Sequence, residues 1–156
     1  MPNWCKGTLK IRGKRENLRK FLIEGFTGVD AFGMVKEIQV IEKDYQLEMM
    51  HDGFAFHVNG TKRNFIETKY LDWWFEDTAD QEEILILENY KAAWGIDIEP
   101  LVEISKKYQI DLKIYAFEQG MQFNQDIEII KGQVIKDEQI EFDNYQWECI
   151  APTIGG

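Results

Sequence analysis

Residues 83–135 place the strongest constraint on how this chain can fold. An apolar run at residues 84–87 is typical of a strand, Asp97 or Glu99 can cap the helix that follows, and Pro100 suits its first turn. Beyond that helix, apolar and polar residues alternate over residues 112–130, which indicates two strands joined by a tight turn. The stretch therefore predicts a strand, a helix and a hairpin, which is a βαββ unit.

The N-terminal part also changes from one hydrophobic period to another. Residues 4–11 have the apolar spacing of a strand, whereas Leu18, Phe21 and Leu22 fall at helical spacing within residues 14–26. This pattern predicts a strand followed by a helix that lies with one face on a sheet.

The middle of the chain contains one clear turn signal. Apolar and polar residues alternate over residues 53–58, and Asn59 and Gly60 follow, a pair that favours a two-residue hairpin turn. We therefore expect residues 61–70 to return as the partner strand. Residues 34–50 fit a helix and a strand equally well, so both alternatives stay open.

Together these elements predict an α+β fold in a single domain that spans residues 1–156. Two helices and more than five strands suit a ferredoxin-like βαββαβ sandwich, with both helices on one face of an antiparallel sheet. The consecutive apolar residues of the strand at 83–89 indicate that both of its faces are covered. Residues 27–50 form an inserted segment in this scheme, and residues 133–135 and 139–150 add C-terminal strands.

The chain is acidic, with a formal net charge of −10. Residues 1–20 are the exception, because they hold seven basic side chains and one acid. A basic cluster of this kind can contact phosphates, but the negative field of the rest of the chain opposes nucleic-acid binding. The charge therefore fits either solubility or a protein partner with a basic surface, and it argues against nucleic acid as a partner.

Targeting signals and cysteine usage point to the cytoplasm. No apolar run approaches the ~20 residues that span a bilayer, and the first residues lack the apolar stretch of a signal peptide. We therefore expect no membrane segment and a cytoplasmic location. Cys5 and Cys149 are far apart and are the only cysteines, so we expect two reduced, buried thiols rather than a disulfide or a zinc site.

One acidic, aromatic segment, residues 71–82, suggests a place for function. One interpretation is a loop or short helix whose aromatic side chains cap the core. The other is a binding face, since neighbouring aromatic residues are common interface anchors and the adjacent acids favour a basic protein segment. The candidate binding residues are Trp73, Trp74, Phe75, Asp77 and Asp80.

The sequence contains no pattern of a catalytic, cofactor or metal site. Nucleotide-binding glycine loops and calcium-loop spacing are absent. The two histidines, His51 and His57, would lie about 20 Å apart on a strand, too far to share a metal. On a ferredoxin-like sheet, Tyr115, Phe117 and Phe123 are placed as RNA-stacking aromatics are, but the RNP sequence of such proteins is missing. We therefore expect neither a cofactor nor an enzyme.

Four short segments resemble one known family. They are Pro2-Asn3-Trp4-Cys5, Gly60-Thr61-Lys62, Ala93-Trp94 and Glu118-Gln119-Gly120-Met121. In these segments the chain is similar to the YubB-like ferredoxin-like proteins carried by plasmids and phages, with residues 27–50 and 71–82 outside the resemblance. The resemblance implies a ferredoxin-like fold and a mobile-element setting. It implies no activity, because that family is described by its fold.

Three classes of function remain open at this point. The first is a non-enzymatic accessory protein of a mobile element that binds another macromolecule through residues 71–82. The second is an acidic mimic of nucleic acid that occupies a DNA-binding protein, as an anti-restriction inhibitor would. The third is an enzyme that uses Cys5 or a histidine.

Overall fold

A computed structural model describes residues 1–76 and 80–156 of the chain. Its helices and strands build a mixed α+β structure, and the strand pairs in these residues are antiparallel. The predicted α+β class is therefore confirmed.

Strands dominate the structure. In chain order they are β1 (Trp4–Lys14), β2 (Phe26–Val29), β3 (Val35–Lys36), β4 (Gln39–Glu42), β5 (Gln46–Met50), β6 (Ala55–Val58), β7 (Asn64–Ile66), β8 (Tyr70–Trp74), β9 (Glu82–Ala93), β10 (Asp111–Glu118), β11 (Phe123–Ile130) and β12 (Gln133–Glu141). The helices are α1 (Arg15–Glu24), α2 (Ile98–Tyr108) and the short α3 (Tyr145–Glu148).

The strands form two sheets of unequal size. The large sheet has nine strands in the order β12-β11-β10-β1-β9-β7-β6-β2-β3, and the small sheet has three strands in the order β4-β5-β8. The N-terminal strand β1 lies at the centre of the large sheet, between β9 and β10. The predicted βαββ unit is present as β9, α2, β10 and β11.

Both long helices pack on the same face of the large sheet. The rings of Phe21 in α1 and Tyr108 in α2 lie 5.3 Å apart between centroids, and both are buried in the core. The N–H of Glu99 donates to the carboxylate of Asp97, which caps α2, and Pro100 occupies the first turn as the sequence predicted. The first and second helices therefore form where their hydrophobic spacing placed them.

The prediction that both faces of the strand at 83–89 are covered is wrong. In β9, Leu85 and Leu87 are buried, whereas Ile84 and Ile86 are 60% and 54% exposed. The helices cover only one face of the antiparallel sheet, so alternate side chains of β9 point to the uncovered face. The strand has a bulge at Asn89, which has a φ of 60°, and it continues beyond its predicted end to Ala93.

The hairpin predicted at Asn59 and Gly60 exists, but its loop is longer than two residues. Gly60 has a φ of +89°, while the returning strand begins only at Asn64. The hydroxyl of Thr61 donates to the carbonyl of Val58 and accepts from the N–H of Asn64, which stabilises a wider loop. The partner strand predicted over residues 61–70 is correspondingly short.

Two segments that the sequence left open or misassigned build the small sheet. Residues 34–50, which fitted a helix and a strand equally, form strands β4 and β5 of the small sheet and also β3, which lies at the edge of the large sheet. Residues 71–82, predicted to be a loop or short helix, begin instead inside strand β8. The strand predicted over residues 139–150 ends at Glu141, and α3 follows it.

Candidate functional site

Strand β8 separates the three aromatic residues that the sequence grouped together. Trp73 and Phe75 are only 8% and 5% exposed and belong to the hydrophobic core, whereas Trp74 is 70% exposed. The cause is the alternation of side chains along a strand, which sends neighbouring residues to opposite faces of the sheet. Asp80 is exposed, and Asp77 lies outside the described residues.

The exposed side of β8 is part of a larger surface, the outer face of the small sheet. Its side chains come from three strands and face away from the core, because their partners in sequence, such as Leu47 and Met49, are buried. The residues of the outer face are Ile41, Gln46, Glu48, Met50, Tyr70, Asp72 and Trp74.

Two carboxylates lie at the centre of the outer face. Glu48 and Asp72 are directly opposite on β5 and β8. The Nε2 amide of Gln46 donates to both, at 3.1 Å to Glu48 Oε1 and 3.0 Å to Asp72 Oδ1. Within the described part of the chain neither carboxylate forms an ion pair. The outer face therefore presents two adjacent negative charges in fixed positions.

Tyr70 fixes the second oxygen of Glu48. Its phenol donates to Glu48 Oε2 at 3.0 Å. Loss of hydration around the phenol, followed by the hydrogen bond to Glu48 and the charge of Asp72, raises the pKa of Tyr70. The phenol therefore keeps its proton and continues to donate at neutral pH.

Apolar side chains surround the carboxylate pair. Trp74 lies opposite Gln46, Met50 lies opposite Tyr70, and Ile41 lies opposite Glu48. Tryptophan, tyrosine and methionine are enriched at the centres of protein interfaces. Most of these residues were missed at the level of sequence, although the apolar–polar alternation of residues 46–50 and 70–74 contains the signal.

Arginines of the first helix hold the small sheet from the other side. The Nη2 of Arg19 donates to the carbonyl of Lys43 at 2.6 Å, and its guanidinium lies 4.8 Å from the ring centroid of Phe75. Arg15 lies 5.1 Å from the ring centroid of Tyr45. These contacts occupy part of the N-terminal basic cluster, so the cluster is not a continuous free surface for phosphates.

No family model, curated protein or solved structure matches this chain. The interpretation of the outer face therefore rests on its own geometry and charge. Within residues 1–76 and 80–156, no helix is long and apolar enough to cross a membrane. In the same residues, no group of three or more histidine, cysteine, aspartate or glutamate side chains is placed to hold a metal ion.

The two thiols are free and buried, as predicted. The Sγ of Cys5 donates to Gln125 Oε1 at 3.5 Å, and Asn124 Nδ2 donates to the Sγ of Cys149 at 3.4 Å. Burial, and then the charge of Glu118, raises the pKa of Cys5 to about 12. Burial opposes ionisation of Cys149 as well, but hydrogen bonds, first from Asn124, outweigh it and lower its pKa.

Neither histidine is placed as a general base for a thiol in the described structure. The Nδ1 of His51 accepts from the N–H of Gly53 at 3.0 Å, so its Nε2 carries the proton and donates to the carbonyl of Thr68, also at 3.0 Å. His57 packs against the ring of Phe65. Burial lowers the pKa of His51, which keeps it neutral in its hydrogen bonds.

Proposed function

We propose that this protein is a non-catalytic binding protein, and that the outer face of the small sheet binds a basic segment of another protein. The facing carboxylates of Glu48 and Asp72 carry the proposal. Two like charges directly opposite on neighbouring strands destabilise a sheet. A cationic side chain of a partner would remove that repulsion.

The surroundings of the pair favour a protein partner over a free ion. An arginine of the partner can bond to carboxylates through its planar fork of donors. Trp74 and Ile41 lie beside the pair and can cover the apolar stem of such a side chain. Gln46 and Tyr70 already orient the carboxylates, so little side-chain freedom is lost when a partner binds.

The arrangement of the large sheet supports a ferredoxin-like core at its centre. The consecutive strands β10-β1-β9-β7 are antiparallel, α1 follows β1, and α2 connects β9 to β10. This is the order expected of a βαββαβ unit whose second strand is supplied by β7. Strands β2, β3 and β6 and the small sheet would then be the inserted segment.

Contacts among the segments that resemble the YubB-like family support a framework role for them. The N–H of Trp94 donates to the carbonyl of Asn3 at 2.8 Å, and the carboxylate of Glu118 accepts from the N–H groups of Gly120 and Met121. These residues hold one end of the large sheet together. From the sequence resemblance we further propose that the protein is an accessory protein of a mobile element that acts in the cytoplasm, and that its binding surface lies on the small sheet.

A titration with a defined basic probe tests the proposed function. The probe is a fluorescein-labelled peptide of about nine residues in which lysine and valine alternate, so that it is cationic and prone to extended structure. We expect the wild-type protein to bind it. We also expect Trp74→Ala, and separately the double variant Glu48→Gln/Asp72→Asn, to weaken binding by about tenfold or more, measured by fluorescence anisotropy.

Matched control variants test whether the peptide binds the outer face specifically or responds only to the overall acidic charge and aromatic content of the protein. Glu99→Gln/Glu103→Gln removes two exposed acids from α2, and Trp147→Ala removes a tryptophan that is exposed in α3. Both should leave affinity within about twofold, because charges more than ~8 Å from the peptide are screened at physiological salt. Equal weakening by the control and outer-face variants would contradict the proposal.

A further inference from the structure

We propose that the basic segment binds as an additional β-strand along the free edge of β8. The inference rests on the proposed function, and it specifies how the partner is held. The segment would bond through its backbone to Asp72 and Trp74, while its basic side chains reach the carboxylates of the outer face. Addition of a strand to an exposed sheet edge is a general mode of peptide recognition.

The hydrogen bonds at the two ends of the β5–β8 ladder decide which backbone groups face the edge. At one end the N–H of Phe75 donates to the carbonyl of Tyr45 at 2.8 Å, and at the other the N–H of His51 donates to the carbonyl of Lys69 at 3.1 Å. Bonded residues alternate with non-bonded residues along an antiparallel pair. The backbone groups of residues 70, 72 and 74 therefore point away from β5.

Of these three residues, Tyr70 already uses its backbone groups in local hydrogen bonds, so two residues remain. The carbonyl of Tyr70 accepts from the hydroxyl of Thr68 at 3.2 Å, and the N–H of Tyr70 donates back to that hydroxyl at 3.5 Å. In the sheet order β4-β5-β8, no described strand lies beyond β8. The N–H and C=O groups of Asp72 and Trp74 are thus available to an added strand.

The same two residues supply the side chains that select the partner. Asp72 and Trp74 both project onto the outer face, so a strand paired with β8 would place alternate side chains beside them. A lysine or arginine opposite Asp72 would be separated from Glu48 only by strand β8. An acidic residue at that position would meet two like charges, which selects against acidic segments.

The two edges of the large sheet carry more protection than β8. Strand β3 is two residues long, and β12 is bulged and carries three consecutive charged residues, Lys136, Asp137 and Glu138. Short strands, bulges and charges are the usual devices that keep an edge from pairing with another chain. Strand β8 has no proline, lysine or bulge in its five residues, and its edge is consequently the most open to pairing of these three.

Two substitutions at one position test the backbone contact. Asp72→Pro and Asp72→Ala both remove the carboxylate, but only Asp72→Pro removes the outward N–H, and the bonds to β5 do not use that group. With the lysine–valine peptide as probe, Asp72→Pro should bind about tenfold more weakly than Asp72→Ala. Circular dichroism checks that both variants fold.

A second measurement uses the wild-type protein and does not depend on the proline variant. The same peptide N-methylated on the backbone of each lysine keeps its charge, but the lysines opposite β8 can no longer donate N–H bonds to that strand, and it should bind about tenfold more weakly. On addition of the unmodified peptide, the amides of Asp72 and Trp74 should change from fast to slow hydrogen exchange. The amide of Trp73, which is bonded within the sheet, should be slow throughout.

The outcomes distinguish the two proposals. Equal affinity for the two peptides, with no protection of the amides of Asp72 and Trp74, would overturn strand addition and leave binding by the outer face intact. Failure of the wild-type protein to bind the unmodified peptide would overturn the proposed function itself.

Discussion

Glu48 and Asp72 face each other across β5 and β8, and one amide, that of Gln46, donates to both carboxylates. The pair keeps two negative charges adjacent, and their repulsion lowers the stability of the fold. An arrangement that costs stability and is held in place by neighbouring residues is typical of a binding site. The free energy of unfolding of the unbound protein should therefore be lower than it would be without the repulsion between these two charges.

Removal of one charge of the pair should stabilise the free protein. We expect Asp72→Asn to raise the free energy of unfolding by about 0.2–1 kcal/mol at low salt, because the repulsion across the strands is lost. Urea denaturation measures this change. Glu99→Gln is the control, and it should lower stability slightly, since Glu99 lies in the first turn of α2 where a negative charge is favourable. Stabilisation of equal size in both variants would indicate a general effect of net charge.

The two neighbouring tryptophans of β8 should respond very differently to truncation. Trp73→Ala should lower the free energy of unfolding by about 3–5 kcal/mol, because Trp73 fills the core between the small sheet and the rest of the protein. Trp74→Ala should change it by less than about 0.5 kcal/mol, since that side chain is exposed. Chemical denaturation of both variants checks the prediction. Similar losses would mean that the assigned register of β8 is wrong.

His51 should make stability depend on pH in the weakly acidic range. Its pKa is lowered by burial in the folded state, whereas the unfolded chain titrates near 6.5. Above that pH neither state binds the proton. As the pH falls below about 6.5 the unfolded state is protonated first, so the folded state loses stability until the pH reaches the folded pKa.

The His51 contribution can be isolated by denaturation at several pH values. The loss of stability between about pH 7 and pH 5 should be smaller in His51→Gln than in the wild type. His57→Gln retains His51 and should show the wild-type decline. An unchanged decline in His51→Gln would show that other groups cause it.

Loss of the Asp111 carboxylate should lower the free energy of unfolding more than loss of an exposed acid in a similar ion pair. Its buried carboxylate accepts from Arg12 Nε at 2.6 Å, and this hydrogen bond raises the pKa of Arg12. Asp111→Ala should cost about 1–3 kcal/mol of unfolding free energy, because a charge-assisted hydrogen bond is lost. Glu128→Ala removes the partner of Lys113 in a more exposed pair and should cost less than about 1 kcal/mol. Equal costs, measured by denaturation, would contradict the ranking.

Local signals predicted much of the large sheet and its helices. Asp97 and Pro100 marked the start of α2, and the alternation after residue 111 marked β10 and β11, because each signal depends on residues close together in sequence. The loop after Asn59 was longer than predicted, since the hydrogen bonds of Thr61 compete with a two-residue turn.

The candidate site was predicted only in part. The segment with Trp74 was identified from its aromatic and acidic composition, but Glu48 and Gln46 were not, since they reach it from another strand. Short strands such as β4, β5 and β8 carry weak periodicity, and their pairing depends on contacts between residues far apart in the chain.

By itself the sequence determined that Trp73, Trp74 and Phe75 are neighbouring aromatic residues in an acidic segment. It also determined the acidic character of the chain and the framework from residue 83 onward. Only the tertiary structure decided that Trp73 is buried and Trp74 exposed, and that Glu48 lies opposite Asp72. The physical reason is that which face of a strand is covered, and which strand lies beside it, depends on packing with distant elements and not on the local order of residues.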